Sequence, residues 1–312
     1  MSSAFPSSFG WVGLGAMGYP MATQLRKKIP LTTPLFIYDI NTNALHQFAS
    51  DLPGFDIRIV GSSKEVAEQS ECVITIVPEG RHVEAVYLDS NTGLLAASDT
   101  SNKLFIDCST IDIHTSTSVG SLVRASHPTN HPHFYDAPVS GGTAGAEKAI
   151  LTFMVGISPE DPTFPLLKQM FSYMGTSIYA LGGPGLGLAA KLSNNYLSGM
   201  IALATSEAMN LGMRLGIDPK VLSDCFSTSS GGSWVNSTVN PVPGVCPNAV
   251  TSKGYEGGFK VQLMKKDMTL AVEAARRIGA NLVLADAGLS AYSAASEDPR
   301  CRDRDSRVVY RW

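Results

Sequence analysis

Short apolar runs alternate with amphipathic segments along the first half of the chain. The apolar runs are rich in β-branched and aromatic residues, as buried strands are. They predict strands at residues 9–13, 35–40, 57–60, 72–77, 104–108, 134–138, 151–156 and 177–181. Between them, apolar positions recur at helical spacing in segments such as residues 17–28, 64–69, 83–88 and 113–125. Because strands that alternate with helices pair in parallel through right-handed crossovers, we predict a doubly wound α/β sheet.

The pattern changes after the glycine-rich stretch at residues 182–187, beyond which we predict no strand. Asp218 followed by Pro219 is typical of a helix N-cap with proline at the first helical position. The helices predicted in this half are residues 188–215, 219–227, 259–278 and 285–296. The stretch at residues 228–258 is rich in glycine, proline and serine and predicts a loop.

Three glycines at GxGxxG spacing follow the first predicted strand and open the first predicted helix. The spacing alone also occurs in turns that bind nothing, but this strand–turn–helix context is that of a dinucleotide-binding turn. The first glycine permits the sharp turn, the second lets a pyrophosphate approach the backbone, and the third lets the helix pack on the sheet. Unpaired helix N–H groups then face the phosphates. The residues predicted to contact the cofactor here are Gly13, Leu14, Gly15, Ala16, Met17 and Gly18.

An acidic residue, Asp39, ends the second predicted strand, 21 positions after Gly18. A carboxylate there accepts hydrogen bonds from the ribose hydroxyls and would repel a 2′-phosphate. No arginine or lysine follows it, because Ile40 and Asn41 come next. The alternative is a strand-end aspartate that caps a turn. We therefore predict NAD as the cofactor in preference to NADP.

The sequence thus predicts two domains. Residues 1–185 form an NAD-binding, Rossmann-type α/β domain, and residues 186–312 form an all-α domain for substrate binding and oligomerisation. Charged residues are only 16% of the chain, below the roughly 25% of typical soluble proteins. Together with a long apolar helix, this favours a homodimer or homotetramer.

Small and hydroxyl-bearing residues follow the later predicted strands. They are Val77 and Pro78, then Ser109 and Thr110, then Ser140, Gly141 and Gly142. In doubly wound sheets ligands bind outside the carboxyl ends of the strands, so these positions leave room for a nicotinamide and a small polar substrate. Hydride transfer to or from an alcohol also requires a residue that exchanges a proton.

Lys191 is the candidate for that proton exchange. It follows the glycine-rich stretch and is flanked by apolar residues, and Asn195 lies one helical turn further on. A lysine near a helix N-terminus opposes the helix dipole, which is a small cost with no structural return. The alternative is an ordinary solvated lysine at the start of a helix. The histidines offer no comparable arrangement, since three of the six crowd one loop before residue 134.

Composition excludes several other functions. The net charge is −3 and no long run of Lys or Arg occurs, which disfavours nucleic-acid binding. No apolar stretch is long enough to cross a bilayer. The five cysteines are scattered, without CxxC or Cys/His clustering, so we expect neither a disulfide framework nor a metal site. The head of the chain has neither arginine nor an apolar core, so we expect an intracellular protein without a secretory signal.

Three blocks in this order resemble the β-hydroxyacid dehydrogenase family. They are GLGAMGYPMA at residues 13–22, DAPVSGGTAGA at residues 136–146 and GLAAKLSNN at residues 187–195. The likeness extends over nearly the whole chain. Further stretches at residues 229–231, 240–245, 255–259 and 263–268 resemble the branch of the family that acts in valine breakdown.

The resemblance implies roles for particular residues. It makes Lys191 the general acid/base and lets Asn195 hold the substrate hydroxyl. It assigns the substrate carboxylate to Ser140, Gly141 and Gly142, and it places Lys266 and Asp267 in the lining of the active site. The implied cofactor contacts are the glycine turn with Asp39, Val77, Pro78, His82, Thr110, Phe259 and Lys266.

The chain departs from the family pattern at three places. His82 stands where the family usually has asparagine, which puts its cofactor contact in doubt. The eukaryotic enzyme is mitochondrial, yet no transit sequence is visible here, so the resemblance implies the mitochondrial matrix and the sequence at face value implies the cytoplasm. The tail at residues 300–305 is also more charged than is typical.

Three other functions stay open at this point. A sibling dehydrogenase acting on tartronate semialdehyde, succinic semialdehyde or a longer β-hydroxy acid would share the same site. An imine reductase has the same architecture but usually lacks the lysine at position 191. A non-catalytic nucleotide-binding scaffold would be expected to have lost that lysine and to carry a partner-binding segment.

Overall fold

The computed structural model describes residues 5–312 of the chain, so the first half of the head, residues 1–4, lies outside it. The chain divides into two compact units, Met1–Lys191 and Leu192–Trp312. This division falls inside one long helix. The domain boundary predicted after residue 185 stays a prediction.

The first unit contains a six-stranded parallel sheet in the order β3-β2-β1-β4-β5-β6. Its strands are β1 (Phe9–Val12), β2 (Leu35–Tyr38), β3 (Ile57–Ile59), β4 (Cys72–Thr75), β5 (Leu104–Asp107) and β6 (His133–Asp136). The helices of this unit are α1 (Gly18–Lys28), α2 (Thr42–Asp51), α3 (Ser63–Gln69), α4 (Gly80–Leu88), α5 (Ile113–Ala125), α6 (Gly142–Glu147) and α7 (Phe164–Phe171). The predicted doubly wound, Rossmann-type sheet is confirmed.

Apolar side chains cover both faces of this sheet. In β5, Leu104 and Ile106 enter one buried cluster while Phe105 enters the other, because successive strand residues point to opposite faces. A sheet covered on both sides explains why its strands appear in the sequence as continuous apolar runs.

A second, three-stranded sheet differs from the sequence expectation. Its strands are β7 (Val139–Ser140), β8 (Leu151–Val155) and β9 (Gly175–Ala180), in the order β7-β8-β9. β8 and β9 correspond to the last two predicted strands. They belong to this second sheet, in which β7 runs antiparallel to β8, and so they do not extend the parallel sheet. The chain turns at Pro138, whose carbonyl accepts the N–H of Met154, and Pro138 itself has no N–H to donate to a ladder.

The second unit is helical, as predicted. Its elements are most of α8 (Leu186–Arg214), α9 (Pro219–Thr228), α10 (Trp234–Val239), α11 (Val261–Arg277) and α12 (Ala285–Glu297), with 3₁₀ turns at Val250–Lys253 and Ser306–Arg311. Asp218 caps α9 as expected and accepts the N–H groups of Lys220 and Val221. A methionine-rich core includes Met200, Met264 and Met268.

The prediction of a loop over residues 228–258 is wrong in part, because α10 and a 3₁₀ turn lie inside it. Ser233 caps α10 by accepting the N–H of Asn236. Asn236 is buried and bonds the carbonyl of Ser223. A six-residue helix held by polar bonds shows no apolar periodicity. No helix within residues 5–312 is long and apolar enough to cross a membrane.

Candidate active site

The predicted cofactor residues of the first unit lie at one edge of the parallel sheet. Val12, at the end of β1, pairs with Tyr38 on one side and Thr75 on the other. The chain leaves β1 towards β2 and β3, and later returns to β4 on the opposite side of β1. This is the topological switch point at which doubly wound sheets bind ligands.

The three glycines of the turn have different surroundings. Gly13 has φ +100°, and a Cβ on it would strike the carbonyl oxygen of Ile76. A Cβ on Gly18 would strike the carbonyl oxygen of Gly13, so the third glycine lets α1 begin against the turn. A Cβ on Gly15 would meet no atom within 4 Å. These are the turn, packing and open-approach positions that the motif requires.

Trp11 also holds the glycine turn in place. Its indole Nε1–H donates to the carbonyl of Gly13 at 2.9 Å, and the N–H of Gly13 donates to the carbonyl of Tyr38 at 3.0 Å. Trp11 is fully buried in β1. The sequence indicated Trp11 only as a strand residue, since nothing in the pattern shows where an indole N–H points.

Asp39 follows β2 and bonds the turn directly. Its Oδ2 accepts the N–H of Leu14 at 2.6 Å, and its Oδ1 accepts the N–H of Asn41 at 2.7 Å. The carboxylate is thereby oriented beside the glycine turn. Ile40 is 90% exposed, and neither it nor Asn41 offers a positive charge at this place.

A buried carboxyl supports the loop after β4. Ser109 Oγ accepts the N–H of Val77 at 2.9 Å and donates to Oδ1 of Asp107 at 2.6 Å. Thr75 also donates to that oxygen at 2.8 Å. Burial raises the pKa of Asp107 to about 6, against the opposing effect of these hydrogen bonds. Asp107 and Ser109 position Val77, a role that sequence reasoning missed.

These features fit a bound dinucleotide. The space beside Gly15 would be filled by a Cβ. Nδ1 of His82 is shielded from solvent and has no hydrogen-bond partner among the residues that the structure describes. Pro78 and Thr110 follow β4 and β5 at the same edge of the sheet. The first unit therefore holds an open backbone cradle, a carboxylate beside the glycine turn and, in α4, a buried ring nitrogen without a partner among the described residues.

The predicted carboxylate-binding residues lie at the end of β7. Gly141 and Gly142 have φ of +133° and +64°, a region of backbone conformation that favours glycine. A Cβ on Gly142 would meet nothing within 4 Å, so this loop has an open side. Ser140 is half-buried in β7.

Lys191 lies in the second turn of α8 and is 7% exposed. Lys191 is therefore not an ordinary solvated surface lysine, and its role in proton exchange stays a prediction. Asp136, at the end of β6, accepts N–H groups at the start of α8, a role that the motif at residues 136–146 did not indicate.

In the second unit, Asp267 connects two of the predicted site residues. Asn195 Nδ2 donates to its Oδ2 at 2.5 Å, and Lys266 Nζ lies 3.2 Å from its Oδ1. Asp267 is 1% exposed and Asn195 is 6% exposed. The buried carboxylate orients the amide of Asn195 and keeps the ammonium of Lys266 beside it.

The charged tail has a structural position that the sequence did not indicate. Oδ2 of Asp305 accepts the N–H of Phe259 at 3.0 Å, and Ser306 donates its N–H to the carbonyl of Phe259 at 2.7 Å. Asp305 is fully buried and paired with Arg307 at 2.7 Å. The tail thus holds the segment that carries Phe259, directly before α11.

No group of three His, Cys, Asp or Glu side chains within residues 5–312 could hold a metal ion. All five cysteines are free thiols.

Two family models together cover nearly the whole chain. Residues 8–183 match the model described as the NAD binding domain of 6-phosphogluconate dehydrogenase. Residues 185–312 match the model described as NAD-binding of NADP-dependent 3-hydroxyisobutyrate dehydrogenase.

Relatives and solved structures agree with these models. A probable mitochondrial 3-hydroxyisobutyrate dehydrogenase of Dictyostelium discoideum is 37% identical, over 99% of this chain and 92% of that protein. An NAD-dependent L-serine dehydrogenase of Pseudomonas aeruginosa is 38% identical, over 90% of both chains. The structure of Mycobacterium tuberculosis 3-hydroxyisobutyrate dehydrogenase with L-serine superposes with a TM-score of 0.87 and 30% identity, covering 99% of each chain.

Proposed function

The chain belongs to the β-hydroxyacid dehydrogenase family, and we propose that it oxidises 3-hydroxyisobutyrate to methylmalonate semialdehyde, a step of valine breakdown. The sequence similarity to 3-hydroxyisobutyrate dehydrogenases, which spans both units, is the observation that carries this proposal. The enzyme is an NAD-dependent hydroxyacid dehydrogenase. NAD, when bound, accepts the hydride from the carbon that bears the hydroxyl.

Each site residue then has a proposed task. The glycine turn, Asp39, Val77, Pro78, His82, Thr110, Phe259 and Lys266 contact NAD. The substrate carboxylate lies on the backbone amides of Ser140, Gly141 and Gly142, with Lys266 and Asp267 lining the site. Asn195, oriented by its bond to Asp267, holds the substrate hydroxyl.

Lys191 acts as the general base. The neutral amine takes the proton of the substrate hydroxyl while the hydride leaves the same carbon, and the ammonium returns that proton in the reverse direction. Only the neutral amine can accept a proton, so we expect oxidation to be faster on the alkaline side. Oxidation rates that do not change between neutral and alkaline pH would contradict this role.

L-serine is a second candidate substrate. The Pseudomonas aeruginosa relative is named for it, and the Mycobacterium tuberculosis structure contains it. Serine and 3-hydroxyisobutyrate share a carboxylate at C1 and a primary hydroxyl at C3, and they differ in the ammonium or methyl group on C2. One site could therefore accept both.

A panel of short hydroxy acids tests the proposal. NADH formation is followed with 3-hydroxyisobutyrate, L-serine, glycerate, 4-hydroxybutyrate and longer β-hydroxy acids. We expect the highest kcat/KM for 3-hydroxyisobutyrate. A higher value for L-serine would assign the second candidate, whereas a higher value for glycerate or 4-hydroxybutyrate would assign the tartronate or succinic semialdehyde siblings.

We further propose a homodimer or homotetramer. Large apolar side chains of the second unit are exposed, among them Leu197, Leu211, Leu215, Val221 and Trp234, and subunit contacts would cover them. Light scattering that gives the mass of one chain would overturn this.

We also propose a mitochondrial location, supported by the name of the Dictyostelium relative. Subcellular fractionation that leaves the protein in the cytosol would contradict it.

A further inference from the structure

Asp136 is a buried acid whose side chain bonds to backbone N–H groups at the start of α8. It ends β6 and is 2% exposed. Its Oδ1 accepts the N–H of Gly185 at 2.8 Å, and its Oδ2 accepts the N–H of Leu188 at 2.9 Å. One carboxylate thus satisfies two of the N–H groups that an α-helix leaves unpaired at its N-terminus.

Two glycines make room for this carboxylate. A Cβ on Gly156 would strike the carboxylate of Asp136. A Cβ on Gly187 would strike the carbonyl oxygen of Met154 and would also meet Oδ2 of Asp136. Glycines at both positions therefore let the first turn of α8 lie directly against the ends of β6 and β8.

The charge of Asp136 suits this position. A negative charge near the first turn is favoured by the helix dipole, and hydrogen bonds from N–H groups to a carboxylate are stronger than bonds between neutral groups. Burial raises the pKa of Asp136, and the bonds from Gly185 and Leu188 oppose that rise.

Lys191 follows immediately in the helix. It is three residues after Leu188 and four after Gly187, so it lies one turn above the anchored residues on the same side of α8. A helix is stiff over one turn, so a shift of its first turn moves the Cα of Lys191 by a similar amount.

We propose that Asp136 is a positioning residue for catalysis: its carboxylate fixes the start of α8 on the end of β6 and thereby sets where the amine of Lys191 meets the substrate hydroxyl. This inference rests on the proposed function of Lys191. It assigns Asp136 an effect on the reaction rate beyond that of a helix cap that only stabilises the fold.

Asp136→Asn tests the proposal, because the amide NH₂ cannot accept the N–H that one carboxylate oxygen now accepts. We expect kcat to fall by roughly 10- to 100-fold, since small displacements of a catalytic group have effects of this size. The Kd for NAD should stay within about twofold of the wild-type value, as the glycine turn and Asp39 are untouched. With substrate deuterated at C3, the isotope effect on kcat should increase, because the chemical step becomes slower than product release.

A purely structural cap would give a different result. It would lower the melting temperature and the fraction of folded enzyme, and it would leave the isotope effect and the KM of the folded fraction unchanged. Asp218→Ala is the control for a lost helix cap, since Oδ1 of Asp218 accepts two N–H groups at a helix start, on α9. We expect it to lower the melting temperature at unchanged kcat.

Asp136→Glu decides the case if Asp136→Asn does not fold. It keeps the charge and both acceptor oxygens but moves them by one methylene, so it can still cap α8 while shifting its start. Reduced kcat in folded Asp136→Glu supports positioning. Wild-type kcat and an unchanged isotope effect in either folded variant would overturn the proposal.

Hydrogen exchange separates this inference from the proposed function. The amides of Gly185 and Leu188 should exchange faster in Asp136→Asn than in the wild type, whether or not a substrate is known. If the wild type oxidises none of the hydroxy acids, the proposed function fails while the exchange result still reports on the anchor. If the wild type is active and exchange at these amides does not change, the anchoring by Asp136 is wrong.

Discussion

The glycine turn after β1 shows how three identical residues serve three purposes. Gly13 supplies a positive φ, Gly18 a close approach of α1 to the turn, and Gly15 an open side. These three roles could be predicted from the sequence, because each of them depends only on the absence of a Cβ in glycine. It could not predict Trp11 or Ser109 as supports of the site, since their bonds depend on side-chain direction inside the folded sheet.

Substituting alanine for each of two glycines separates binding from folding. We expect Gly15→Ala to fold with near wild-type stability but to bind NAD on the order of tenfold more weakly, because its methyl occupies the pyrophosphate approach. Gly18→Ala should lose about 1–3 kcal/mol of unfolding free energy, because its methyl strikes the carbonyl of Gly13. Denaturant titration and NAD titration measure the two effects. Equal NAD affinity of Gly15→Ala and wild type would contradict the predicted pyrophosphate position.

Asp39 is expected to decide the choice of cofactor. Asp39→Ser removes the ribose-binding carboxylate, so the affinity for NAD should fall roughly tenfold while that for NADP falls less or rises. NADP provides the internal control, because a turn loosened by losing the bond to Leu14 would weaken both cofactors alike. Tighter binding of NADP than of NAD by the wild type would refute the role of Asp39.

At the scale of elements, the parallel strands could be predicted from the sequence, but the segments held in place by polar side chains could not. Each predicted strand of the six-stranded sheet is present, and most end one or two residues early, where the chain leaves the ladder to form the site. α10 and the tail are held by side-chain hydrogen bonds of Asn236 and Asp305. Such bonds join residues far apart in sequence and have no period, so local pattern cannot indicate them.

Asp107, the last residue of β5, should make the unfolding free energy depend on pH. The pKa of Asp107 is about 6 in the folded protein, against an ordinary 3.8. A raised folded-state pKa contributes stability that is complete below the unfolded value and is lost as pH rises through about 6. The difference corresponds to about 3 kcal/mol. We expect the unfolding free energy of the wild type to fall relative to that of Asp107→Asn between pH 4 and 7. Parallel pH profiles of the two proteins would contradict this.

The C-terminal tail should stabilise the second unit. Asp305→Ala leaves the guanidinium of Arg307 mostly buried without its carboxylate, which is expected to cost about 3–5 kcal/mol. The guanidinium carbon of Arg307 lies 5.7 Å from the centre of the Trp234 ring, so the fluorescence of Trp234 can follow the loss of stability. Asp298→Asn is the control, because its partner Arg300 is 71% exposed and the pair is expected to matter little. Equal losses in both variants would argue against a special role for the tail.

At the scale of the whole molecule, each unit has its own apolar core, and α8 runs from one unit into the other. The glycine-rich stretch signalled the change from α/β to helical structure, so the fold class of both halves could be predicted. The candidate site was predictable where it follows a known backbone motif or a resemblance. Asp136 and Asp305 were not, because a buried acid has no sequence signal until the N–H groups that it bonds are located.

Replacing the amine of Lys191 tests the central claim most directly. In Lys191→Ala we expect turnover of the preferred hydroxy acid to fall on the order of 10²- to 10⁴-fold while the Kd for NAD is retained, because the general base is lost and the glycine turn is not. Lys220→Ala, which removes an exposed lysine from the first turn of α9, should turn over at the wild-type rate. Wild-type turnover in Lys191→Ala would contradict the account.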